Sequence, residues 1–234
     1  MKLTRKVLAS IVALFAACLV HAAPVARVIS ITDVETDDPS GYATWVGKAN
    51  DLIKAKTGVD TFFHVYQSNY DGTKAGSVRL TSSAESVSAM AKVTAALTGN
   101  ADYRDIIDHY RAIRKNGARV LYQGVRFDGT VKNAFVYTTT INVTDEAGYL
   151  KSLDGLRAIL DAKGFKDAKI NAYRVLAGRT NYTHRVSLVV ANNEQLAALL
   201  DLMGGGDADL TAWLANAAKY RTVVANTTAR EITK

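Results

Sequence analysis

Two stretches decide the fold when one is laid over the other. They are residues 38–66, DPSGYATWVGKANDLIKAKTGVDTFFHVY, and residues 145–173, DEAGYLKSLDGLRAILDAKGFKDAKINAY. Gly41-Tyr42 falls on Gly148-Tyr149, Ala55-Lys56 on Ala162-Lys163, Asp60 on Asp167 and Tyr66 on Tyr173, all at a separation of 107 residues. The register continues outside the quoted stretches. Gly99 falls on Gly206 and Ala101-Asp102 on Ala208-Asp209, and one inserted residue brings Val78-Arg79-Leu80 onto Val186-Ser187-Leu188. Chance matches would need the offset to wander, so the chain is read as one unit written twice. A unit of about 100 residues has the ordinary size of a domain.

Each copy spells the same order of elements. Arg27 to Thr32 alternates around β-branched residues and predicts a strand. Asp38-Pro39 supplies a helix cap with Pro at the first helical position. Tyr42, Val46, Ala49, Leu52 and Ile53 then recur at helical spacing up to Gly58. Thr61 to Ser68 and Ser77 to Thr81 predict two more strands around a polar loop. A helix starting at Ser83 and a short one through Tyr103, Ile106, Ile107, Tyr110 and Ile113 follow, then a strand over 119–127. Copy two predicts strand 133–142, helix 145–163, strands 168–175 and 183–190, helices 192–203 and 207–219, and strand 222–230. Asp33, Glu35, Asp37 and Asp38 form an acidic cluster before the first helix, best explained by capping and solvation.

Strand–helix–strand–strand–helix–strand with a split second helix, written twice, together with Gly41-Tyr42 through Trp45 in the first helix, resembles the dimeric α+β barrel superfamily. The resemblance spans residues 25–234. It implies an α+β fold of two tandem ferredoxin-like units that form the barrel within one chain, with antiparallel sheets facing each other and helices outside. Such a chain is expected to be a monomer or a homodimer. The superfamily contains antibiotic-biosynthesis monooxygenases, haem-degrading enzymes, stress-response barrel proteins and members with no known activity, so the resemblance implies a fold more firmly than a function.

The chain divides into a signal peptide at 1–22, a first repeat at 23–130 and a second at 131–234. Lys2, Arg5 and Lys6 precede the apolar run from Val7 to Val20, and small residues at Ala22 and Ala23 follow. This pattern predicts export to the periplasm or the medium with cleavage after Ala22. Phe15-Ala16-Ala17-Cys18 loosely resembles a lipobox, and acylation of Cys18 is the rival address. The apolar run is too short to span a bilayer, and no later segment approaches that length. Cleavage removes three of the cations behind the formal charge of +7 and leaves +4. No block of like charges remains, so no nucleic-acid partner is expected. The single Cys is Cys18, so the mature chain has no thiol nucleophile, thiolate metal site or disulfide.

Alternation along the strands separates a helix-facing side from a barrel-facing side. Giving the more aliphatic side to the helices leaves His64, Tyr66, Arg79 and Tyr122 pointing inward, with Val120 and Arg126 on the same side of the last strand and Phe127 on the other. The repeat maps the first three onto Asn171, Tyr173 and Ser187. His64, Tyr66, Arg79, Tyr122, Asn171 and Tyr173 are therefore the candidate ligand-binding residues of an aromatic-walled cavity, against the alternative that they are barrel-lining core. His109 is the candidate haem ligand, because members of the superfamily that degrade haem use a helix histidine. Beside Asp102 and Asp105 it reads instead as a solvated Asp–His pair. No metal site is expected, since His64, His109 and His184 stand on separate elements. No cofactor is expected either, haem being the one the resemblance raises. The expected function is non-catalytic binding of a small apolar or aromatic ligand, or of a protein partner. The enzyme readings are haem binding or degradation and cofactor-independent monooxygenation in the same cavity.

Overall fold

The structure, a computed structural model, describes residues 27–70 and 77–233. The predicted signal peptide and Cys18 lie outside the described residues. Among those residues no helix is long and apolar enough to cross a membrane. Copy one runs β1 (Val28–Glu35), α1 (Pro39–Thr57), β2 (Phe63–Tyr70), β3 (Val78–Ala84), α2 (Val87–Leu97), α3 (Ala101–Ile113) and β4 (Lys115–Phe127). Copy two runs β5 (Phe135–Val143), α4 (Glu146–Ala162), β6 (Lys169–Ala177), β7 (His184–Val190), α5 (Asn193–Gly204), α6 (Ala208–Ala217) and β8 (Arg221–Glu231).

The eight strands close into one antiparallel barrel in the order β1-β3-β2-β8-β5-β7-β6-β4. Each copy contributes four adjacent strands in the same internal order. The copies are sewn together at two equivalent seams, β2 against β8 and β6 against β4. Closure gives every strand two neighbours and leaves no open sheet edge.

Helix α1 begins where Asp38 accepts a hydrogen bond from the Gly41 backbone N–H at 2.8 Å. It ends where Gly58 takes a left-handed φ of 75° and returns its N–H to the Lys54 carbonyl. Asp145 repeats the first device, accepting from Gly148 N–H at 3.0 Å. Tyr42, Val46 and Ala49 pack on Val34, Val65 and Val78 in copy one. In copy two, Tyr149, Leu153, Leu156 and Leu160 pack on Ile141, Ile170 and Leu188. Each buried Leu of that layer contributes about 1.5–3 kcal/mol.

The repeat also reuses positions whose chemistry has changed. Asn50, buried on α1, accepts from the N–H groups of Phe62 and Phe63 and donates to the Phe63 carbonyl at 2.8 Å. The equivalent position in copy two is Arg157. Its guanidinium donates to the Phe165 carbonyl at 2.6 Å and to the Ala168 carbonyl. Both side chains pin the entry to the second strand of their unit. Arg114 and Arg221 are an equivalent pair whose chemistry is kept, each at the start of the last strand of its unit. Arg114 lies over Tyr42 and Tyr110, and Arg221 lies 5.4 Å from the Tyr149 ring and 5.5 Å from the Trp213 ring.

Several expected boundaries move. β3 runs on to Ala84, because Ser83 and Ala84 pair with Ile29 and Val28. The helix cap is therefore Ser86, which accepts from Ala89 N–H, and not Ser83. β4 begins four residues before its predicted start, because β1 extends past Thr32 and pairs with it through Glu35. The acidic cluster is spent locally: Asp38 caps, Asp33 meets Arg79 at 3.3 Å and Glu35 meets Lys115 at 3.5 Å.

Candidate functional site

The barrel interior is lined by every second residue of each strand, and it holds two chambers. The first, of about 90 Å³, is bounded by His64, Tyr66, Arg79, Asn171 and Tyr173 together with Ile29, Ile31, Ser187 and Val189. On this measure it has room for several ordered waters or a small planar molecule. The second, of about 330 Å³, is bounded by Asp33, Val120, Tyr122, Thr140, Tyr182 and Thr227. Ile31, Arg79 and Arg185 line both and form the partition between them. The six candidate residues named above line these chambers, five in the first and Tyr122, with Arg79 again, in the second.

His64, on the wall of the first chamber, is half of a carboxylate–imidazole pair. Glu231, near the end of β8, lies 2.6 Å from His64 Nδ1, and its carboxylate is 8% exposed. The other carboxylate oxygen accepts from Ala134 N–H at 3.3 Å. Burial alone raises the Glu231 pKa, but the hydrogen bond and charge of His64, with the Ala134 N–H and the Thr233 side chain, outweigh it and hold the carboxyl below its ordinary range. A carboxylate only accepts, so the Nδ1 facing Glu231 carries a proton, and in the neutral ring Nε2 carries the lone pair. Nδ1 is engaged by Glu231, and among the described residues no other group hydrogen-bonds the ring. The Tyr66 ring stacks 6.4 Å away. Burial raises the Tyr66 hydroxyl pKa, and the Glu231 charge adds to it. Burial likewise pushes Tyr173 up to about 12, against the pull of Arg27 and Arg185. Both phenols are neutral donors over the physiological range.

Asn171 lies in the chamber wall, with its amide committed. Its oxygen accepts from Asp128 N–H at 2.9 Å, and its nitrogen donates to the Gly129 carbonyl at 2.9 Å. It thereby holds the segment joining the two copies across one mouth of the barrel, where Gly129, Thr130 and Val131 line the chamber. Tyr122 is committed as well, its hydroxyl 2.5 Å from that of Tyr182.

Alternation failed at one place, and the cause is a bulge. The β4–β6 register shifts between Gly124 and Arg126, so the last residues of β4 turn over. Phe127 therefore enters the chamber under Arg27, whose guanidinium lies 4.7 Å from its ring. Arg126 turns outward to Asp128 and Asp154, at 3.1 and 2.7 Å. Sequence reasoning also missed Glu231 and Arg185. Arg185 stands two residues before Ser187 on β7, so alternation carried one step further would have placed it inside. Glu231 gave no such signal, because the β8–β2 pairing that brings it to His64 joins residues 167 positions apart.

His109 is exposed on α3, outside the barrel, and its ring lies 3.7 Å from that of Trp45. Among the described residues no ion pair with Asp105 forms, and the imidazole packs against the indole at an interplanar angle of 36°. An exposed ring packed on the outer surface does not fit a haem ligand of the barrel. Among the described residues, no group of three or more His, Cys, Asp and Glu is placed to hold a metal ion.

No family model matches the chain, and no curated protein sequence matches it. Solved structures do match. A candidate monooxygenase from Lactobacillus acidophilus NCFM aligns with TM-score 0.60 at 10% identity, covering 89% of this chain and 95% of that one. An anthrone oxidase-like protein aligns at 0.53 and 12%, covering 88% and 90%. A candidate monooxygenase from Fusobacterium nucleatum aligns at 0.51 and 12%, covering 88% and 91%. At these identities the shared property is the architecture. The chain has the dimeric α+β barrel fold, with both halves of the barrel supplied by one polypeptide.

Proposed function

We propose that the barrel interior binds a small aromatic molecule and that His64 acts on it as a general base, with Glu231 orienting the imidazole. The observation that carries this reading is the Glu231–His64 pair, 2.6 Å apart, with His64 on the chamber wall and its Nε2 without a hydrogen-bond partner among the described residues. A base so placed takes a proton at Nε2 while the carboxylate stabilises the resulting imidazolium. Tyr66 and Tyr173 supply aromatic walls and hydroxyl donors for the anion formed. Removing a proton from a polyphenol or an anthrone gives an electron-rich anion that reacts with dioxygen directly. The names of the structures sharing this fold support extending the reading to such cofactor-independent oxidation. Export belongs to the proposal too, on the strength of Lys2, Arg5 and Lys6 ahead of the apolar run.

Oxygen uptake by the purified protein with an anthrone or polyphenol, followed alongside calorimetric titration of the same compound, tests this reading. His64→Ala is expected to lower turnover about 100-fold or more while changing binding by only a few-fold. Turnover that survives His64→Ala would remove the base from the mechanism. Binding without turnover in the wild type would leave a ligand carrier, and absence of both would reduce the interior to packing.

A further inference from the structure

The partition between the chambers is made partly of charge. Arg185 projects from β7 into the barrel, and among the described residues its guanidinium has one hydrogen-bond partner, Thr138 Oγ1 at 3.2 Å. Among the described residues no carboxylate lies within ion-pair distance of it. Burial and then the like charge of Arg79 lower the Arg185 pKa, while Tyr122, Tyr182 and Tyr173 oppose that shift. The interior carboxylates are already engaged, Glu231 by His64 and Asp33, at the rim, by Arg79. A buried guanidinium without a counter-charge is costly to desolvate, so a fold that keeps one leaves a strong demand for an anion. Its planar fork of donors matches a carboxylate in two parallel hydrogen bonds. The phenol rings around it form a wall for a planar apolar body.

We propose that the ligand of the interior is a small aromatic carboxylate whose carboxylate group is held by Arg185 at the partition. This rests on the reading of the barrel as a binding chamber and narrows it from aromatic molecules in general to anionic ones. The carboxylate supplies the counter-charge that the protein withholds, and the ring lies against the tyrosines.

Benzoate and its neutral isostere benzamide, titrated calorimetrically into the full chain, test the idea. Wild type is expected to bind benzoate at least about tenfold more tightly than benzamide, and Arg185→Met is expected to erase that preference. Thermal melts add a second readout. Arg185→Met, which removes a buried charge without a partner, is expected to melt at the same temperature as wild type or higher, and benzoate is expected to raise the melting temperature of wild type alone. Should Arg185→Met not fold, Arg185→Lys keeps the charge and loses the fork, so benzoate affinity must fall while benzamide affinity holds. Equal affinities in wild type, or a benzoate preference that survives Arg185→Met, would overturn the proposal and leave the chamber reading intact. Failure of both compounds to bind would overturn this proposal, while the chamber reading would stand or fall with the anthrone or polyphenol titration.

Discussion

Glu231 connects the site to stability, because its carboxyl is buried and yet held below its ordinary pKa. A group depressed on folding contributes stability above its unfolded pKa, about 4.5, and that contribution is lost as pH falls through the lower folded value. Melting temperature is therefore expected to drop as the pH is taken below about 4.5. Glu231→Gln should flatten that slope and cost about 1–3 kcal/mol at neutral pH. A melt series whose acid slope is the same in wild type and Glu231→Gln would show that the depression is not expressed. The same pair shows what was legible at this scale. His64, Tyr66 and Arg79 could be assigned to the interior because alternation is a local property of a strand. Glu231 could not, because its position depends on which distant strand β8 pairs with.

Among the elements, the entry to β2 bears most directly on the site, since Asn50 holds Phe62 and Phe63 immediately before His64. Asn50→Ala leaves two strand N–H groups without acceptors and is expected to destabilise the fold by about 2–3 kcal/mol. It should also lower any His64-dependent turnover, which an equally destabilising Leu153→Ala in copy two should leave intact at permissive temperature. Similar turnover losses in both variants would assign the effect to stability alone. The β4 bulge gives a second expectation. A Cβ at Gly124 would lie 2.9 Å from the Arg27 carbonyl oxygen, so Gly124→Ala must move backbone. Loss of stability together with altered ligand affinity, through Phe127, is the expected result by melting and titration. The repeat made the order of elements readable, since Tyr42 and Tyr149 mark equivalent helices. It concealed the anchors, because Asn50 and Arg157 do the same work with unlike side chains. A bulge leaves no mark on a pattern that assumes strict alternation, which is why Phe127 and Arg126 exchanged sides.

At the scale of the molecule, each copy is a sheet of four strands with two edges that only the other copy covers. An isolated second repeat, residues 131–234, exposes β6 and β8 and is expected to pair with itself into a symmetric barrel. Light scattering of that fragment should report a dimer, and a stable monomer would show that the seams are dispensable. The barrel was readable from the sequence because two equal units with the same element order can satisfy both edges at once. The contents of its interior were not, since they depend on closure. Closure within one chain also removes a constraint. When two identical chains form such a barrel, every inward side chain occurs twice about the dyad, and an arginine at the position of Arg185 would bring a second one with it. In this chain the position equivalent to Arg79 is Ser187, so a cation on one side faces a hydroxyl on the other. Fusion has made the two halves of the cavity independently mutable, and a lopsided interior that selects one orientation of a guest follows from a single covalent link.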